Sequence, residues 1–188
     1  MTAIGILGGT FDPPHIGHLI LAEYAVDALD LSRLLFVPAA DPPHKLHEDK
    51  TPVPHRLAML ERAIADNPRF DLSRVDVDRP GPHYSLDMVT LMGSDSLRDF
   101  PTWRHPEALI RLCRLAVMRR PGDGVHAAMH ETVLPGLAER VVMIDAPLVG
   151  VSSSGIVERL RRGQSARYLL PDSVLTYIQQ HQLYKAAL

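Results

Sequence analysis

Short apolar runs ended by glycine or proline alternate along this chain with segments whose apolar residues recur every three or four positions. "AIGIL" (3–7) and "RLLFVPA" (33–39) are nearly unbroken apolar runs of strand length, as expected of buried strands. Between them, from about Ile16 to Leu29, Leu19, Ala22, Val26 and Leu29 fall on one helical stripe. The polar, proline-broken "ADPPHKLHEDKTP" (40–52) reads as a loop. A second helix is predicted from Pro54 to Ala65, with Leu57, Leu60 and Ile64 at core spacing and Pro54 suited to its first turn. "FDLSRVDVD" (70–78) alternates Leu72, Val75 and Val77 with polar residues, the pattern of a half-exposed strand. "RPGPHYS" (79–85) reads as a loop whose Ser85 can cap a following helix.

The alternation continues to the end. A helix is expected at 106–111, strands at 114–118 and 140–144, a loop entering a helix over 151–163 with Gly163 as its stop, and a last helix at 171–183. No repeat, low-complexity tract or linker interrupts it, so residues 1–188 read as one domain. Strands alternating with helices predict an α/β fold, a doubly wound parallel sheet with helices on both faces and ligands at the carboxyl ends of its strands.

Composition narrows the function. Apolar residues make up 46% of the 188, a globular proportion, and 20 basic against 22 acidic side chains give a net charge of −2. No basic excess points to nucleic acid and no basic run to a membrane surface, so a phosphate site must rest on a local cluster. No apolar run approaches the ~20 residues of a membrane span, and glycines 8 and 9 break the apolar start, which does not read as a signal peptide. The single cysteine, Cys113, in "LIRLCRLAVM", reads as a buried small apolar group and suits a reducing compartment, hence a cytoplasmic protein.

The stretch that asks for chemistry is "GGTFDPPHIGHL" (8–19). A strand-to-helix turn at the carboxyl edge of a parallel sheet points backbone N–H groups outward, and the helix dipole adds partial positive charge. Gly8 and Gly9 let a phosphate or adenine approach the main chain, and Pro13 and Pro14 stiffen the loop. His15 and His18, three apart at the helix start, can face one ligand. A polyanion beside them would favour the imidazolium form. Two isolated histidines at this spacing serve equally as a metal half-site or as a helix cap. The order of strand, Gly-Gly-Thr-Phe, Pro-Pro and His-x-x-His is more specific, and it is neither the dinucleotide spacing nor the P-loop spacing.

That string resembles the GTFDPxHxGH signature of the nucleotidyltransferase superfamily, and within it the bacterial nicotinate-nucleotide adenylyltransferases. Further matches follow in order: "PPHK" (42–45), "GPHYS" (81–85), "GSDSL" (93–97), Trp103, "RRPG" (119–122), "VSSSGI" (151–156) and "YLLPDSVLTYI" (168–178). The resemblance implies a Rossmann-like nucleotidyltransferase domain that joins nicotinate mononucleotide to the AMP part of ATP, forming deamido-NAD and releasing pyrophosphate. A related branch that adenylylates phosphopantetheine shares the histidine and serine motifs. It is not expected to combine "PPHK", "GPHYS" and the tryptophan.

By this resemblance Gly8, Gly9, Thr10 and Phe11 line the nucleotide cleft. His15 and His18 contact ATP phosphates and stabilise charge on the α-phosphate. Lys45 reaches a phosphate, Asp95 a ribose hydroxyl, and Ser153 and Ser154 offer hydroxyls and amides to the triphosphate. Tyr84 and Ser85 border the nicotinate ring, Trp103 stacks on it, and the Arg104 amide assists. No protein nucleophile is required, and Mg²⁺ is expected to be held mainly by substrate phosphates rather than by a carboxylate cage. The expected partners are ATP and nicotinate mononucleotide, with neither nucleic acid nor membrane. The oligomeric state stays open, a homodimer included.

Two departures set alternatives beside this reading. The serine motif ordinarily ends in an arginine that grips the triphosphate, and here that position is Val157, with Arg120, Arg159 or Arg161 as possible substitutes. Only Leu86 to Met92 separates Ser85 from Gly93, where the family carries a helix, a loop and a strand. A crossover needs about a dozen residues, so either a segment is missing from this chain or "MVTLM" (88–92) serves as strand or helix, not both. The alternatives are an acceptor such as nicotinamide mononucleotide or phosphopantetheine, and a nucleotide-binding homologue impaired in catalysis. A histidine-based metal protein, using the spacings 15/18 and 44/47, is the remote one.

Overall fold

The computed structural model describes residues 3–40, 50–78, 88–119, 122 and 124–185. Six strands, β1 (Ala3–Gly9), β2 (Leu31–Pro38), β3 (Phe70–Leu72), β4 (Met88–Gly93), β5 (Cys113–Met118) and β6 (Val141–Ile144), form one parallel sheet of order β3-β2-β1-β4-β5-β6. The doubly wound α/β expectation therefore holds. Around these strands run α1 (Ile16–Ala28), α2 (Val53–Ile64), α3 (Ser94–Arg98), α4 (Pro106–Leu112), α5 (Leu137–Arg140), α6 (Ser153–Arg161) and α7 (Asp172–Gln180).

The chain divides into two compact units. The first comprises Met1–Gly8, Leu21–Leu35 and Pro82–Leu148. Here β4 pairs in parallel with β1, placing Ile6 opposite Thr90, and with β5, placing Leu91 opposite Ala116. "MVTLM" is thus a strand, which settles the choice its length forced. Because 88–93 is strand, the helix that Ser85 was expected to cap does not run through these residues. Ser85 itself lies outside the described residues. Leu97, Phe100, Leu115, Val117 and Leu137 fill this unit's core. Cys113 is buried among them, its thiol donating to the Leu109 carbonyl at 3.2 Å, and burial raises its pKa.

The second unit comprises Gly9–Ile20, Phe36–Gly81 and Val149–Leu188. Its core joins Met59 of α2, Ile156 of α6, and Val174, Tyr177 and Ile178 of α7. Ser173 Oγ donates to the Arg62 carbonyl at 3.0 Å, where α7 meets α2.

Two expectations shift. The buried stripe of α1 is Leu21, Ala22, Ala25 and Val26 rather than one running through Leu19 and Leu29. The 70–78 alternation yields a strand only through Leu72. Beyond it Val77 and Asp78 N–H both bond back to the Arg74 carbonyl at 2.9 Å, and Arg74 pairs with Asp78 at 3.0 Å across the turn. Val75 is exposed, so alternation without a covering layer does not make a strand. The short helices α3 and α5 carry too few residues for a periodic signal.

Leu97 is fully buried and fixes α3 and its Asp95 against this core. Leu97→Ala is expected to cost about 2–5 kcal/mol of stability, measured by urea unfolding.

Candidate active site

Gly9 closes β1, and the chain then turns through Thr10–His15 into α1. Phe11 takes a left-handed φ of 50° with its ring 1% exposed, edge-on to His18 at 5.0 Å and tilted against Phe36 at 5.8 Å. The Phe11 ring is part of the core, so any contact it makes with a nucleotide in the cleft would come from its main chain. A Cβ on Gly9 would approach that ring within 3.1 Å, so glycine is needed there to seat Phe11. Gly8, belonging to the other unit, faces nothing within 4 Å.

Each part of the turn is bolted to another segment. Arg56, on α2, donates to the Thr10 carbonyl at 3.0 Å. Asp12 accepts the Thr51 N–H at 2.9 Å and the Tyr184 hydroxyl. The Pro13 carbonyl accepts Ser153 Oγ at 2.9 Å, and Ile16 N–H donates to the Leu169 carbonyl at 3.1 Å. The Ser153 hydroxyl proton, expected on ATP phosphate, is therefore committed to the turn. Ser152 is the N-cap of α6 and accepts the Gly155 N–H at 3.1 Å, while Ser154, exposed, lies 3.3 Å from Ser152 Oγ.

The two imidazoles stack, centroids 3.7 Å apart and planes 23° from parallel. A Cβ on Gly17 would meet the His15 ring at 3.0 Å, so a larger residue there would push on the stacked ring. The His15 backbone N–H donates to His18 Nδ1 at 3.2 Å. That nitrogen is then bare, and the neutral ring carries its proton on Nε2. His15 Nδ1 is buried with no partner among the described residues. An unpaired lone pair is easier to bury than an unpaired N–H, so this ring too keeps its proton on Nε2. Burial lowers the His15 pKa to about 4, and burial together with the neighbouring His15 lowers that of His18 to about 3. The imidazolium expectation concerned rings beside a bound polyanion, and these values are those of the free protein. Both rings are neutral at pH 7, and His18 acts as a hydrogen-bond donor through Nε2.

In the first unit, Asp95 lies in the first turn of α3, just past β4, and pairs with Arg98 at 3.3 Å. Trp103 is half-buried, tilted on Phe100 at 5.4 Å, and Arg104 is exposed. Lys45, Tyr84, Ser85 and Arg120 lie outside the described residues, as do His44 and His47. Val157 is half-buried on α6; Arg159 is tied to the Ser165 carbonyl at 3.0 Å and Arg162 to Glu158 at 2.6 Å. Arg161, one turn beyond Val157, is exposed with no partner among the described residues. No group of three or more His, Cys, Asp or Glu side chains is placed to hold a metal ion among the described residues.

Sequence reasoning missed Arg56, Asp12 and Tyr184. Arg56 had a signal, since it sits four residues before Leu60 on the core stripe of α2. Tyr184 had none, being far from the turn in sequence.

A parallel sheet with a histidine pair in its first strand-to-helix turn defines a nucleotide-binding α/β protein. The chain belongs to the cytidylyltransferase-like family, whose model matches residues 6–159, and within it to the nicotinate-nucleotide adenylyltransferases. It is 44% identical to the "probable nicotinate-nucleotide adenylyltransferase" of Thermomicrobium roseum, covering 98% of this chain and 92% of the relative. To the relative of the same name from a Roseiflexus species it is 40% identical, covering 97% and 98%. The former alignment runs over 198 residues against a chain of 188, so positions of that relative face no residue here. Structures of Plasmodium falciparum nicotinic acid mononucleotide adenylyltransferase, complexed with APC and with NaAD, share the fold at TM-scores of 0.76 and 0.75. Their identity is 17%, over 98% of both chains. No helix among the described residues is long and apolar enough to cross a membrane.

The buried histidines predict a pH signature. Unfolded histidine binds a proton below about pH 6.5, whereas the folded pair stays neutral down to about 4 and 3. The unfolded state then holds more protons, so stability falls as pH drops from 6.5 to 5, by up to about 1.4 kcal/mol per pH unit per histidine. Urea titrations at several pH values should show this slope, and His15→Gln/His18→Gln should flatten it.

Proposed function

We propose that this protein transfers the adenylyl group of ATP to nicotinate mononucleotide, giving deamido-NAD and pyrophosphate. The phosphate oxygen of the mononucleotide attacks the α-phosphorus in line, and the bond to the leaving pyrophosphate breaks. No side chain becomes covalently linked, so the residues contribute position and electrostatics. The observation that carries the reading is the locked His18 tautomer, a neutral Nε2–H donor in the turn where the family signature places the triphosphate. As charge builds on the α-phosphate oxygens, His15 and His18 donate to them without first losing or gaining a proton.

In this reading the amides at the start of α6, Ser154 and the main chain of Gly8–Thr10 receive ATP, and Asp95 a ribose hydroxyl. Lys45, Tyr84, Ser85, Trp103 and Arg104 serve the mononucleotide, with the indole against the nicotinate ring. Bound Mg²⁺, held by phosphate oxygens and water, would neutralise the polyphosphate. The single cysteine, buried and free, suits reaction in the cytoplasm. Arg161 supplies the cation that Val157 omits, at greater reach.

Pyrophosphate release from ATP, magnesium and nicotinate mononucleotide tests the reading. Faster release with nicotinamide mononucleotide or phosphopantetheine would reassign the acceptor, and ATP binding without release would mark an impaired homologue. His18→Ala should lower kcat by about 10²–10³. In a second measurement, Val157→Arg is expected to lower the KM for ATP; an unchanged KM counts against the missing-cation argument.

A further inference from the structure

Tyr184 stands 172 residues from Asp12, yet its hydroxyl donates to Asp12 Oδ1 inside the signature turn. Nothing in the transfer reaction calls for a tyrosine there. The side chain is half-buried, and desolvation together with the Asp12 carboxylate pushes its pKa upward, so the hydroxyl keeps its proton and remains a donor. Its backbone adopts a left-handed φ of 58°, a conformation costly for a residue with a Cβ and one held by surrounding contacts.

What Tyr184 holds is the root of the histidine arrangement. Asp12 spends its other oxygen on the Thr51 N–H at 2.9 Å, so both carboxylate oxygens are engaged. From Asp12 the chain passes through Pro13 and Pro14 to His15. Two fixed φ angles make that path a stiff arm. Its far end is the His15 N–H, the group that bonds His18 Nδ1 and sets the tautomer. A shift at Asp12 is carried along this arm, since the Pro13 carbonyl is the only other point on it pinned by a side chain, Ser153 Oγ, among the described residues.

We propose that Tyr184 is a positioning residue for adenylyl transfer, fixing through Asp12 the turn that keeps His18 a hydrogen-bond donor at Nε2. The catalytic part of this inference rests on the function proposed above; the tautomer part does not.

The test removes one oxygen atom. Tyr184→Phe keeps the ring, and Tyr177→Phe is its control, because the Tyr177 hydroxyl bonds His55 Nδ1 at 2.9 Å in the same unit, away from the turn. Tyr184→Phe is expected to lower kcat roughly tenfold to a hundredfold, with the smaller change in KM for ATP. Imidazole nitrogen-15 shifts should show His18 moving from the single Nε2–H tautomer to a mixture. Tyr177→Phe should leave both kcat and tautomer unchanged. If Tyr184→Phe fails to fold, Asp12→Asn, which removes the carboxylate charge, is expected to give the same two changes. Wild-type kcat and tautomer in Tyr184→Phe would overturn the proposal, as would equal losses of kcat in the two tyrosine variants. A wild-type protein that turns over no ATP would sink the adenylyl-transfer reading instead, and the nitrogen shifts would then decide the positioning claim by themselves.

Discussion

A guanidinium that is 1% exposed holds the signature turn in place. Arg56 donates through Nε to the Thr51 carbonyl at 3.0 Å, through one terminal nitrogen to Thr10 and Ala39 at 3.0 and 2.8 Å, and through the other to Ala40 at 3.2 Å. Burying a cation costs several kcal/mol unless every donor is met. Here main-chain carbonyls meet it, with charge-assisted hydrogen bonds that a lysine ammonium could not aim in a plane. The acceptors come from the turn after β1, the chain leaving β2 and the approach to α2. Their relative placement is therefore set by one planar group. Phe11 in its left-handed conformation, Asp12 with both oxygens occupied and the His15 N–H all hang from that arrangement.

At a phosphate site, the role proposed for this turn, charge and burial make opposite demands, and neutral rings meet both. An imidazolium pair stacked at 3.7 Å would repel itself and lose hydration. Neutral rings escape both costs and still present N–H groups. Such dipoles are fixed before substrate arrives, so little reorganisation is left for the moment when charge develops on phosphorus oxygens. Gly17 is the steric condition for this packing and the His15 N–H its electronic one.

The family model spans most of the chain, residues 6–159, and two places depart from the pattern that the resemblance implies. The connection before β4 is short, yet β4 still pairs on one side with β1 and on the other with β5. The sheet keeps β4 as one of its six strands. At the serine motif the helix amides and cap are retained while the cation is absent from position 157. Of the arginines that end α6, those at 159 and 162 are occupied by Ser165 and Glu158.

Local pattern was enough to place β1, β2, β5, β6, α1, α2, α4, α6 and α7, because strand runs and helical stripes report how neighbouring residues share one face. It also marked the histidines, since glycine, proline and histidine in that order serve no core. It misjudged 73–78, where alternation had no layer to cover it, and it gave no sign that the Phe11 ring belongs to the core. Arg56 was half legible, as a charge on an apolar stripe, but not what would satisfy it. The protonation of the histidines, the commitment of Ser153 and the grip of Tyr184 on Asp12 were decided by tertiary structure alone. Each depends on groups far apart in sequence coming within hydrogen-bonding distance or leaving water together, and neither distance nor solvation is written in the order of residues.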